Sequence, residues 1–242
     1  MNKIIAIASS KGGVGKSTIC CHLGKALAER NEKTILVEID SGLRGLDIFL
    51  NVKEVIYDLG DFLNGSCDLK KAIYKTPYEN LFLLPAPLSF NVKINFKDML
   101  NLCNILKQSF KNIILDLKAG IEIAVEFKKI VDLFLVVVTP NSVCVRDSSF
   151  LTNFLQIDEL DKPKIRLIIN KISKNFRKIS PFQTLDDIID ETKIQLIGAI
   201  PYDKNIEKTT QFGSNFKKNS KPSKIFNAIS KRVCNENVKI LI

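Results

Sequence analysis

Short, almost continuously apolar runs recur along the chain and alternate with stretches of helical spacing. The runs are Lys3–Ala8, Thr34–Ile39, Leu81–Pro85, Asn112–Leu117, Asp132–Thr139, Ile165–Ile169 and Gln195–Ile200. Such runs read as strands buried on both faces, as in a parallel sheet. Between them, Ile19–Arg30 has apolar positions at Ile19, Leu23, Ala26 and Leu27. Phe96–Phe110 carries a stripe of Met99, Leu102, Cys103 and Leu106. Both spacings predict helices with one face in the core. Short helical pieces are predicted over 57–63 and 68–73, a helix containing residues 145–148 follows Pro140, and Ser223–Val233 closes the chain. Strands and helices alternate with no linker or repeat. The predicted class is α/β, a mostly parallel twisted sheet with helices on both faces. Residues 1–233 read as a single domain and 234–242 as a short tail.

The first strand runs into Ser9-Ser10-Lys11-Gly12-Gly13-Val14-Gly15-Lys16-Ser17-Thr18. Strand, glycine loop and helix is the context that makes a phosphate loop credible. Glycines let the backbone approach a phosphate and turn its N–H groups inward, and the helix N-terminus adds partial positive charge. In that role Lys16 reaches the β- and γ-phosphates and the Ser17 hydroxyl holds Mg²⁺ directly. The expected cofactors are a nucleoside triphosphate and Mg²⁺, the nucleotide being ATP by the resemblance given below. Ser10 stands where the usual pattern wants glycine, and Lys11 is an additional lysine at the front of the loop.

Composition changes the picture little. The 242 residues are 45 % apolar, and no run approaches about 18 apolar residues, so no membrane span is expected. No signal peptide is read at the start, and a cytosolic location is expected. None of the six cysteines forms a Cys-x-x-Cys pair and His22 is the only histidine, which argues against a zinc site or an iron–sulfur cluster within one chain. Net charge is +10, yet only 6 of the 36 basic residues are Arg, which is also what a Lys-, Asn- and Ile-rich composition gives without selection for binding. The excess gathers late: Lys204–Ile242 holds nine Lys/Arg and two Glu, 9 − 2 = +7.

Lys-Gly-Gly-Val-Gly-Lys-Ser-Thr over 11–18 resembles the deviant phosphate loop of the MinD/ParA family of ATPases. Further stretches resemble the same family, closer to its MinD branch: Asp40-Ser-Gly-Leu-Arg-Gly-Leu-Asp47 (switch I), Asp116 with Ala119-Gly120-Ile121-Glu122 (switch II), Val145-Arg-Asp-Ser148, and Leu196-Ile-Gly-Ala-Ile-Pro-Tyr-Asp203. The resemblance covers about residues 2–233. It implies a P-loop NTPase fold and an ATP-dependent homodimer in which Lys11 reaches the partner's nucleotide. It implies that Asp40 positions the attacking water, that Asp116 is the Walker B carboxylate, and that both approach Mg²⁺ through water. Lys11, Lys16, Asp40 and Asp116 are then the catalytic set. Lys11, Gly12, Gly13, Val14, Gly15, Lys16, Ser17, Thr18 and Gly120 contact the nucleotide, while Asn170 and the backbone at Pro201 take the adenine. From the residues alone, Asp40 is also a candidate helix cap, and Asn170 a turn or cap residue.

The resemblance further implies slow, partner-stimulated hydrolysis, regulatory partners of the MinC/MinE kind, and placement of the division septum. Alternatives are a ParA-type DNA-segregation ATPase holding DNA non-specifically, a flagellar-number regulator, and an ATP-gated scaffold without hydrolysis. Departures from the pattern are Glu38 for Asp, Gly45 for Asn, Asn141 for Glu, and Lys118 for the switch II proline. The tail is read as a short interfacial helix for an anionic membrane, with Cys234, Val238, Leu241 and Ile242 on one face beside Lys231, Arg232 and Lys239. A terminal segment packed on the body is the equal alternative.

Overall fold

The computed structural model describes residues 2–42, 44–89, 92, 94–156 and 164–241. Strand β1 (Lys3–Ala8) leads through the glycine loop into α1 (Lys16–Ala28) and then β2 (Thr34–Glu38). Three short helices follow, α2 (Leu46–Phe49), α3 (Leu59–Leu63) and α4 (Leu69–Ala72), and then β3 (Tyr74–Lys75) and β4 (Leu81–Leu84). The middle of the chain is α5 (Phe96–Leu106), β5 (Asn112–Asp116), α6 (Ile121–Glu126), β6 (Leu133–Val138) and α7 (Ser142–Leu155). The last third is β7 (Lys164–Ile172), α8 (Phe176–Ile179), α9 (Leu185–Thr192), β8 (Leu196–Pro201), α10 (Lys204–Gln211) and α11 (Lys221–Val233).

Among the described residues, eight strands join one sheet in the order β3-β4-β2-β5-β1-β6-β7-β8. Every pairing is parallel except β3–β4 at one edge. The central strands β1, β2, β5 and β6 are buried almost throughout, as their unbroken Ile, Leu and Val runs require when helices cover both faces. One helical layer includes α1 against α11 and α10, the other α7 against α9 and α6. The apolar stripe of α5 is Met99, Leu102, Cys103 and Leu106, all buried, as its spacing predicts. Among the described residues no helix is long and apolar enough to cross a membrane.

The tail follows the packed alternative of its sequence reading and not the interfacial helix. Residues 235–241 form no helix, and Ile242 lies outside the described residues. The cause is a helix stop at Asn235, whose φ of 65° is left-handed. The amides of Asn235 and Glu236 donate to the carbonyls of Arg232 and Lys231, the bond pair of a Schellman cap. The chain then folds back on the body. Arg232 donates to the carbonyls of Val238 (2.6 Å) and Leu196 (3.1 Å), Glu236 pairs with Arg30, and Ile240 packs on the core.

Candidate functional site

β1 lies between β5 and β6, so the chain leaves the centre of the sheet in both directions. Crevices outside the carboxyl ends of strands at such a point are where ligands bind in open α/β sheets. The glycine loop sits there. Gly15 caps α1 with φ 101°, and a Cβ on it would come within 2.5 Å of Asn170 Nδ2, so both backbone and space require glycine. No side chain caps α1. Its first backbone N–H groups are left for a ligand, and the helix end favours an anion.

Two carboxylates approach the same helix end. Asp116 is 2 % exposed, paired in register with Ile7 of β1 and Glu38 of β2. Burial pushes its carboxyl up to about 6, against a hydrogen bond from Ser17 and the charge of Lys16. Burial likewise pulls the Lys16 ammonium below its ordinary value, against the attraction of Asp116 and Asp40. Asp116 Oδ1 and Asp40 Oδ1 are buried with no hydrogen-bond partner. Orphaned buried carboxylate oxygens are costly and call for an explanation. Asp40 does not cap the next helix, because the N-cap of α2 is Gly45 and no side chain caps it. Glu38 is buried too, and burial pushes its carboxyl up to about 7, while the amides of Gly45, Leu46 and Ala86 pull the other way.

Asn170 and Lys171 clamp the loop from β7. Asn170 Nδ2 donates to the Val14 carbonyl (2.7 Å), and Lys171 Nζ to the Gly13 carbonyl (2.8 Å). Gly12, Gly13, Gly15, Lys16, Ser17, Thr18, Asp40, Asn170 and Pro201 line one open cleft of about 520 Å³, within the range of small-molecule sites. Val14 is buried behind it.

Residues 5–216 match the model of the CobQ/CobB/MinD/ParA nucleotide binding domain. The chain belongs to this family. It is 34 % identical over 250 residues to the septum site-determining protein MinD of Synechocystis, covering all of this chain and 92 % of that protein. It superposes on MinD in the MinC:MinD cell division complex of Aquifex aeolicus with a TM-score of 0.86, at 28 % identity and 99 % of both chains. MinD of Pyrococcus horikoshii complexed with Mg-ADP gives 0.83, at 27 % identity and 96 % of both chains. The eight-stranded sheet is thus that of the MinD/ParA P-loop ATPases.

Within that family the two loop lysines here take separate places. Lys16 lines the cleft, whereas Lys11 is half-exposed and pairs with Asp147 of α7 at 3.0 Å. That hydrogen bond holds the Asp147 carboxyl below its ordinary value. The Ser10 hydroxyl lies 3.1 Å from that of Ser148, which joins the loop to α7. Asn141, where the MinD pattern has Glu, caps α7 through the amides of Val143 and Cys144. Lys118 is exposed and does not line the cleft. The backbone on either side of it is nonetheless held to β1, with the Leu117 amide donating to the Ile7 carbonyl and that of Gly120 to Ser9. Gly120, at φ 135°, caps α6.

Phe49, Glu207 and Gln211 also line the cleft and were not singled out in the sequence, whereas Lys171 and Tyr202 belong to stretches already quoted there. Glu207 and Gln211 lie on α10, which buries only Ile206 and Thr210 and so carries almost no apolar period.

The donor set fits Mg²⁺ with a nucleotide. Among the described residues no group of three or more His, Cys, Asp and Glu side chains is placed to hold a metal. A hard cation here would take a hydroxyl, phosphate oxygens and water, with the orphaned Asp40 and Asp116 oxygens as acceptors for that water.

Proposed function

We propose that this chain is an ATP-dependent dimerising switch ATPase that controls placement of the division septum. The observation that carries the reading is the pair of partnerless carboxylate oxygens, Asp40 and Asp116, at the helix end that bears Lys16 and Ser17. Phosphoryl transfer needs neutralised charge and a placed water more than a covalent residue. Lys16 binds the β- and γ-phosphates with the amides of the loop. Ser17, with Asp116 through water, would hold Mg²⁺, which would supply charge neutralisation for the phosphates. Asp40 accepts a proton or hydrogen bond from the attacking water. Lys11 leaves Asp147 and reaches the nucleotide of the partner subunit. In the adenine region, Asn170 spends its amide N–H on Val14 and offers its oxygen to the exocyclic amine, while the backbone at Pro201 closes the pocket.

The likeness to MinD in a MinC complex supports a MinC-like partner for the ATP dimer, with a MinE-like protein stimulating slow hydrolysis. The tail, with Lys231, Lys239, Val238 and Leu241, supplies a weak contact to anionic membrane once it leaves its docked position. Phosphate release should rise with anionic liposomes, and deletion of residues 235–242, which spares buried Val233, should abolish that rise and leave ATP binding unchanged. Equal stimulation of the deleted form contradicts the membrane step.

One observation favours a second reading, the DNA-segregation ATPase. A cavity of about 980 Å³ at the amino-terminal pole of the sheet includes Lys3, Lys111, Lys129, Lys164 and Arg166 in its lining. DNA affinity falling steeply with salt would select it. Nucleotide binding without phosphate release would select the inert scaffold.

A further inference from the structure

We propose that Glu38 is a positioning residue for hydrolysis, its carboxylate fixing the backbone that carries Asp40. The proposal rests on the ATPase reading above. Glu38 ends β2, is 2 % exposed and lies opposite Asp116 in the parallel register. Its Oε1 accepts from the amides of Gly45 (2.7 Å) and Leu46 (3.1 Å), where α2 begins. Its Oε2 accepts from the Ala86 amide (3.3 Å), just beyond β4. One buried side chain therefore ties three segments together and closes the loop that contains Asp40.

Elsewhere among the described residues of that loop, the Ile39 amide donates to the Asp116 carbonyl (3.1 Å), that of Gly42 donates to Pro87 (2.8 Å), and Arg44 pairs with Asp47 (3.0 Å). Asp40 Oδ1 has no protein partner, so the loop backbone sets where that oxygen lies. If the far end of the loop slips, Asp40 moves with it. Misplacement of a reacting group by about 1 Å can cost on the order of 10²-fold in rate.

Side-chain length and acceptor character both matter. Aspartate, the residue of the MinD pattern here, is one methylene shorter and cannot reach Gly45 and Leu46 from this backbone, which also has Gly45 where that pattern has Asn. Glutamine keeps one oxygen for those amides but sets an NH₂ against the Ala86 N–H, donor facing donor. The glutamate at this position thus makes a contact that neither neighbour in chemistry reproduces.

The test uses the full chain with Glu38→Gln and Glu38→Asp. Amide exchange is measured by mass spectrometry without nucleotide, and ATP affinity and phosphate release are measured with Mg-ATP. Exchange should rise by about tenfold in segments 40–47 and 86–88 while segments from β1, β5 and β6 stay unchanged. ATP affinity should stay within about threefold, and kcat should fall by about tenfold or more. Unchanged exchange at 40–47 in both variants overturns the proposal. So does a rise spread evenly over the sheet, which makes Glu38 a fold residue only. Unchanged kcat beside a loosened loop overturns it as well. Were the unaltered protein to release no phosphate, the ATPase reading would fail, while the exchange result would still decide whether Glu38 holds the loop.

Discussion

Lys11 and Lys16 belong to one loop and face different surroundings. Lys16 is drawn into the cleft, where burial lowers its pKa and Asp116 and Asp40 hold its charge. Lys11 stands half-exposed on Asp147, a solvent-screened pairing that a partner's phosphates would displace in the proposed dimer. Lys16→Ala would leave two carboxylates facing the phosphates with no counter-charge, so calorimetry should show ATP affinity falling by about 10²-fold or more, with the fold intact. Unchanged affinity would remove Lys16 from the site. Asp40→Ala should bind ATP normally but release phosphate about 10²-fold more slowly, the scale of a lost water-orienting group. Normal turnover would end that assignment. The loop was legible because its residue types and spacing are dictated by phosphate chemistry. The Asn170 contact with Val14 was not, since it joins residues 156 apart in sequence.

At the scale of elements, the phosphate-loop helix α1 is tied to α10, which lines the cleft. His22 of α1 is buried, stacks on Phe216 (centroids 4.3 Å apart), and lies 2.9 Å from the Thr210 hydroxyl of α10. Burial, with the charge of Lys25 adding to it, pulls its pKa from 6.5 to about 3. Between those values the unfolded chain binds a proton that the native state refuses, so stability falls as pH drops below 6.5. The loss reaches about 2 kcal/mol by pH 5. Asp116 and Glu38, raised to about 6 and 7, act oppositely, because the native state keeps protons that the unfolded chain has released. The clean comparison is His22→Phe. From pH 8 to 5, denaturant unfolding should show the wild type losing about 2 kcal/mol relative to the variant. Parallel pH profiles would contradict the buried, neutral histidine. The major strands and α1, α5, α7 and α11 were legible from apolar period. β3 was not, for its two residues exist only by pairing with β4. α9 was missed although its capping box, Thr184 with Asp187, was there to be read.

At the scale of the whole molecule, alternation of strands and helices sufficed to predict the parallel sheet, and the family match over residues 5–216 agrees with it. For the tail the sequence left a packed segment and an interfacial helix equally open, because the Schellman stop at Asn235 and the reach of Arg232 back to Leu196, which decide between them, depend on tertiary contact. The central claim is that ATP closes two copies of this chain face to face through Lys11. The most direct measurement is light scattering of Asp40→Ala, and of the double variant Lys11→Ala/Asp40→Ala, with Mg-ATP and with Mg-ADP. The chain weighs 27.2 kDa. The account predicts about twice that mass for Asp40→Ala with Mg-ATP, and the monomer mass with Mg-ADP and for the double variant with either nucleotide. A monomer in every condition, or a double variant that dimerises with Mg-ATP as Asp40→Ala does, would contradict it.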